Sequence, residues 1–204
     1  MKWLQYVRER TLGLDRFLSG DGSARSPMAL LLRSLHEDSI TMRRQFVRNS
    51  IAGSVLVPRC IRWGIYRMTG LKIDTPNIAE GCRINNSYLV VGTGTFVNQG
   101  CFFQGSAPIV IGKDCLLAPD CSFVTGRHRF LDDGSVEWRG DYLPITLGDR
   151  VFLGTRVTLL PGAVIEDDCV VAAGAVVTGH LGAGGFYGGV PAKLIRSCAE
   201  AAPK

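Results

Sequence analysis

Aliphatic residues fall six apart without interruption at Leu147, Leu153, Leu159, Ile165, Val171 and Val177, in LGDRVFLGTRVTLLPGAVIEDDCVVAAGAVVT. Upstream the same phase gives Ile78 and Ile84, then after one slip Val91, Val97 and Phe103, and after a second Ile111, Leu117 and Phe123. Four places after each stands a small or medium residue: Cys82, Thr95, Cys101, Cys115, Cys121, Val151, Val157, Ala163, Cys169 and Ala175. A hexad cannot be one face of an α-helix, because 3.6 residues per turn would carry the stripe around the helix within a few repeats. It suits short parallel strands joined by tight turns rich in Gly, Asp and Asn, three hexads making one triangular coil. The pattern predicts a mainly β solenoid over 78–180, broken by a loop at 126–146 and followed by a C-terminal strand or helix and tail at 181–204.

Residues 1–77 read differently, as a helical appendage. Helices are expected around 2–18, 28–35 and 40–47, separated by Ser-Gly-Asp-Gly and Ser-Pro breaks. A further helix is expected to begin after Pro58, end near Gly70 and lead into the first coil, with Trp63, Ile65, Tyr66 and Met68 as core or coil-capping residues.

The net charge of +5 is concentrated there: residues 1–72 hold thirteen Lys and Arg against five acidic residues. The rest of the chain is mildly acidic, so no nucleic-acid partner is expected. Interleaved with Trp3, Tyr6 and Phe17, these cations suit either a solvated helix face or an amphipathic helix resting on an anionic membrane. No apolar run approaches the roughly 20 residues that span a bilayer, and Met1 opens no signal peptide; a cytoplasmic protein, with peripheral contact at the inner membrane face as an option, is the expectation. Seven cysteines without a C-x-x-C pair match neither a disulfide framework nor a zinc ribbon, and five of them share the small position of the hexad. They are expected to pack the core.

A solenoid tolerates loops at its turns, so an interruption that preserves phase is where chemistry can be inserted. Between Phe123 and Leu147 the chain runs TGRHRFLDDGSVEWRGDYLPI, polar, aromatic and out of pattern. His128 alone of the three histidines opens it. It could serve as a general base near neutral pH, or be an ordinary surface histidine. Asp132 and Asp133 could bind acceptor hydroxyls or form a turn with Gly134. Trp138 and Tyr142 could wall a sugar ring or pack the loop.

The hexads LGDRVF, IGKDCL and LGTRVT resemble the hexapeptide-repeat superfamily. Asn98, IGKDCLLAP at 111–119, TGRHRF at 125–130, PITLGDRVFLG at 144–154 and GGVPAKLIR at 188–196 look like its galactoside, maltose and capsule-sugar O-acetyltransferase branch. The resemblance implies left-handed coils, a homotrimer with three shared sites and an acetyl or similar acyl group moved from acyl-CoA to a hydroxyl. It also implies that His128 deprotonates that hydroxyl and that Asn98 positions acceptor and base. Gly154, Thr155 and Ala173 would contact pantetheine, Phe152 would stand for the usual tryptophan, and Thr178, Lys193 and Arg196 would meet the nucleotide phosphates. For Lys193 and Arg196 ordinary surface charge is the competing reading. Transfer would be direct, in a ternary complex, with acetyl-CoA as co-substrate and no metal. The branch often carries an acidic residue where Gly105 or Ser106 stands here, which opens the acceptor to a capsule or lipopolysaccharide sugar, a glycolipid or a small antibiotic. Two other classes compete. A metal-dependent hydratase on the same fold needs three convergent histidines, and a non-catalytic scaffold needs none.

Overall fold

The structure, a computed structural model, describes residues 27–137 and 140–199. Residues 1–43 and 44–204 form separate compact units. In the first, one helix, α1 (Pro27–Gln45), replaces the two expected at 28–35 and 40–47: the polar stretch between them holds neither Gly nor Pro, and nothing there stops helix propagation. The helix expected at 2–18 lies outside the described residues.

The second unit opens with a π-helical segment, Phe46–Ala52, closed by the Gly53 N–H donating to Arg48 O at 3.1 Å. Helix α2 (Arg59–Met68) follows, with Pro58 at its N-cap and Gly70 at φ +90° beyond its end, as the sequence predicts. Tyr66 is fully buried and Trp63 and Ile65 pack against the core, but Met68 is exposed: it lies one helical face away from Arg62 and Tyr66. Arg62 is buried beneath α2. Its guanidinium donates to four backbone carbonyls, those of Ala52 (2.6 Å), Ser54, Val57 and Ile78 (2.8 Å each). Arg48, also buried, donates to the Thr69 hydroxyl (2.9 Å) and carbonyl (2.8 Å). Two arginines thus clamp the helical cap onto the first coil.

The solenoid consists of three parallel sheets. The first joins Lys72–Ile73, Leu89–Val91, Ile109–Ile111, Ile145–Leu147, Val164–Ile165 and His180–Leu181. The second joins Phe96–Val97, Leu116–Leu117, Phe152–Leu153, Val170–Val171 and Gly185–Gly188, with Lys193–Ser197 added antiparallel at its end. The third joins Arg83–Ile84, Phe102–Gln104, Ser122–Val124, Thr158–Leu159 and Val176–Val177. The chain visits the sheets in rotation, one strand of each per coil. The first strand, Lys72–Ile73, lies within the stretch read as appendage, because Ile73 stands five residues before Ile78 and so falls outside the hexad phase. Among the described residues of the C-terminal segment the added element is a strand, and no helix of the described chain is long and apolar enough to cross a membrane.

Every aliphatic hexad position points inward and stacks on its equivalent in the next coil, as in the register Ile111, Leu147, Ile165 and Leu181. Phe103 and Phe123 do the same with ring centroids 4.8 Å apart. Each buried aliphatic side chain contributes about 1.5–3 kcal/mol. The cysteines fill the small position as expected: Cys82, Cys101, Cys115, Cys121 and Cys169 are buried and their thiols donate to carbonyls of the adjoining coil, Cys169 to Gly182 at 3.1 Å and Cys115 to Gly148 at 3.2 Å. Burial raises the Cys115 and Cys169 thiols above their ordinary range. These sulfurs are packing atoms, shielded from any substrate.

Both phase slips and the loop occur at one corner, where the third sheet hands over to the first. Asn86 is buried there, its amide donating to Gly105 O (2.9 Å) and Ala107 O (2.7 Å) while its oxygen accepts from Tyr88 N–H (2.6 Å). One coil on, buried Thr125 donates to Gln104 O (3.3 Å).

Replacing Arg62 by Met strands four buried carbonyls and should lower stability by about 3 kcal/mol. The urea midpoint measures this; an unchanged midpoint contradicts the clamp.

Candidate functional site

The interruption after Val124 is a two-stage hairpin. Gly126–Arg127 pairs antiparallel with Asp141–Tyr142, and Phe130 bridges Val136 further out. At the tip, Asp133 Oδ1 accepts from Ser135 N–H (2.9 Å) and from its hydroxyl (2.6 Å), and Gly134 takes φ +79°. Those hydrogen bonds hold the Asp133 carboxyl below its ordinary value. Asp133 therefore makes the turn, with exposed Asp132 beside it. Trp138 lies outside the described residues. Tyr142 is half exposed and lies across Gly126.

His128 follows the paired strand and is exposed. Its Nδ1 lies 3.0 Å from the carbonyl oxygen of Glu137 on the returning limb. A carbonyl can only accept, so this bond requires the proton on Nδ1 and leaves Nε2 with its lone pair free. The hairpin is braced beside it: Asp141, on the returning strand, pairs with both Arg129 and Arg127, the latter at 3.5 Å. Asp141 and the Glu137 carbonyl were not singled out from sequence, since only the hairpin register brings residues nine and thirteen positions away back to the limb that carries His128.

The other expected residues distribute over two edges of the prism. Asn98, Gly154, Thr155 and Ala173 share the edge between the second and third sheets. Successive coils there are stitched by Asn98 N–H to Leu117 O (3.1 Å), Gly154 N–H to Val171 O (2.8 Å) and Gly174 N–H to Thr155 O (2.8 Å). Coils approach so closely that a Cβ on Gly154 would lie 2.5 Å from the Ala173 nitrogen, so only glycine fits. Asn98 Oδ1 accepts from Gln99 N–H at 2.9 Å. Phe152 lies on the adjoining face, half exposed, in register between Leu116 and Val170. Arg196 is stacked 4.8 Å over the Phe186 ring at the end of the same sheet, and Lys193 is exposed opposite Gly188.

His128, Tyr142 and Thr178 belong to the edge between the third and first sheets. Asn98 and His128 thus sit at opposite ends of the third face, and one chain does not juxtapose them along a single edge.

Gly105 accounts for the missing acid: its φ is +111°, and a Cβ there would lie 1.9 Å from Thr125 Oγ1. A side chain at 105 would displace a buried hydroxyl of the corner that carries the hairpin.

A family model described as the hexapeptide repeat of succinyl-transferase matches residues 144–179. A candidate acetyltransferase of Dictyostelium discoideum is 34% identical over 133 residues, which are 65% of this chain and 68% of that protein. The galactoside O-acetyltransferase of Escherichia coli K12 is 30% identical over 114 residues, 54% of each chain. A hexapeptide-repeat acetyltransferase from Vibrio cholerae O1 biovar eltor, solved with acetyl coenzyme A, is 25% identical with a TM-score of 0.65, covering 90% of this chain and 97% of that one. The chain spans little more than half the length of several curated relatives it matches. Its solved neighbours are left-handed β-helices, and the coils here share that architecture.

The geometry sets the tautomer of His128. Nitrogen-15 NMR of the neutral imidazole should show Nδ1 protonated and Nε2 bare; the reverse tautomer contradicts the hydrogen bond to Glu137.

Proposed function

Because this chain belongs to the hexapeptide-repeat acetyltransferase family, we propose that it transfers an acetyl group from acetyl-CoA to a hydroxyl of a sugar or glycan-type acceptor. One observation carries the reading: the single long interruption of the solenoid holds a solvent-facing histidine whose Nδ1 is committed to a backbone carbonyl, leaving Nε2 as the base.

His128 Nε2 takes the acceptor's hydroxyl proton as the oxygen attacks the thioester carbonyl carbon. The Glu137 carbonyl steadies the ring. Collapse of the tetrahedral adduct breaks the carbon–sulfur bond, and the imidazolium returns its proton to the departing thiolate. A backbone N–H stabilises the transient oxyanion. No bond to the enzyme forms at any stage.

The donor lies along the Gly154, Thr155 and Ala173 edge, where Phe152 offers an apolar flank. Lys193 and Arg196 supply cations for the nucleotide phosphates, and Thr178, on the His128 edge, a hydroxyl from the neighbouring copy. Since Asn98 and the donor edge lie one full face away from His128, the complete site forms between copies of the chain, His128 from one and the Asn98 edge from its neighbour. A homotrimer with three shared sites closes this arrangement, and buries outward apolar side chains such as Val110, Val164 and Leu116. On the acceptor side Tyr142 and Asp132 border the hairpin; Trp138 is their expected companion.

Replacing His128 by Ala should lower kcat by about 10²–10⁴-fold with acetyl-CoA binding retained. Release of free thiol, followed with a panel of sugar acceptors, alongside donor calorimetry, measures both. Full turnover in the variant would overturn the assignment.

A further inference from the structure

From Ser39 to Ile73 the chain has no carboxylate, yet it carries six arginines and Lys72. Arg48 and Arg62 of these are buried in the clamp described above. Arg44, Arg59, Arg67 and Lys72 are exposed. Glu37 and Asp38 precede this segment in the chain; after it, Asp74 pairs with Arg67 at 3.2 Å and Glu80 is engaged by Gln99. The cap is therefore a cationic end on the solenoid.

The same segment exposes apolar side chains that a monomeric surface ordinarily hides. Leu56 is 87% exposed at the turn before α2, with Val55 beside it, and Met68 is 81% exposed. Ile61 and Met68 are seven residues apart on α2 and share its outer face, with Arg67 next to them and Arg62 and Tyr66 on the opposite, buried face. Phe46 and Ile51 add exposed apolar groups on the π-helical segment, which packs against α2. Arg62 fixes the turn to the helix through the Ser54 and Val57 carbonyls, so this apolar surface is held and does not collapse inward.

We propose that the cap, comprising the turn at residues 53–57 and the outer face of Arg59–Met68, docks onto an anionic lipid bilayer. Leu56, Val55, Ile61 and Met68 enter the interfacial region, and Arg44, Arg59, Arg67 and Lys72 meet the headgroup phosphates. Charge complementarity selects this occupant: protruding aliphatic side chains among exposed cations that outnumber the nearby carboxylates match a surface that is apolar below and anionic above. A nucleic acid would be met by cations and aromatic rings, whereas the protruding groups here are mainly aliphatic. The inference is independent of the transferase reading.

The test is cosedimentation of the full chain with phosphatidylcholine vesicles and with vesicles that also contain phosphatidylglycerol. Binding should be at least about tenfold tighter to the anionic vesicles. Leu56→Asp combined with Met68→Asp should lower that binding about tenfold or more while thermal unfolding is unchanged, since both side chains are solvent-facing. Equal binding by the variant would overturn the proposal and place any membrane contact elsewhere, for example in residues 1–43. No preference for anionic vesicles would overturn it too. So would a wild-type dimer in lipid-free sedimentation that the double substitution dissolves, which would assign the face to a second copy, or RNA binding lost in the variant without vesicle binding in the wild type.

Discussion

Coil-on-coil register is the constraint from which the rest follows. Each inward side chain rests on the same position of the next coil, about 4.8 Å away, and the backbone hydrogen bonds of each strand go to the strands above and below. Partners are 18 residues apart from Leu147 to Val177 and 16 apart in the last pairings, Ile165 with Leu181 and Val171 with Tyr187, and an insertion must return the chain to the same phase or disrupt every column beyond it. Across the hairpin the separation is 36 residues, from Ile111 to Leu147, and the columns continue unbroken. The prism can thus carry a long polar excursion at one corner without loss of core.

That corner is where local chemistry is concentrated. Asn86, Gly105 and Thr125 form its buried polar interior, and the hairpin that leaves it places His128 against the Glu137 carbonyl with Asp141 bracing both flanking arginines. The opposite edge, from Asn98 to Ala173, is closely packed, and at Gly154 the next coil leaves no space for a Cβ. On the proposed reading, a base on one edge and a donor track on another give a single chain two halves of a site. The proposed rotational assembly would bring such halves together.

Much of this was legible in the chain. The hexad predicted the columns from Ile78 to Val177, and the shared position of five cysteines predicted that they pack the core, because both depend on strictly local spacing. The broken period pointed to the loop and His128. Other features escaped because they depend on what folding brings together. The buried arginines read as surface charge, since nothing local shows that Arg62 will face four carbonyls. Ile73 lay out of phase, and Met68 was read as a core or coil-capping residue, whereas helical geometry turns it outward. The partners of His128 needed the hairpin register. The separation of Asn98 from His128 needed the order of sheets around the prism, which a one-dimensional period does not contain.

Subunit mixing tests most directly whether two chains build one site. His128→Ala removes the base, and Ala173→Trp fills the donor edge; each should be inactive alone. Coexpressed in equal amounts, they should recover about a quarter of wild-type activity, because a quarter of the interfaces in randomly assembled trimers would pair an intact His128 with an intact Ala173 edge. No recovery from the mixture, or full activity of Ala173→Trp alone, would contradict a site shared between the His128 hairpin of one copy and the Asn98 edge of the next.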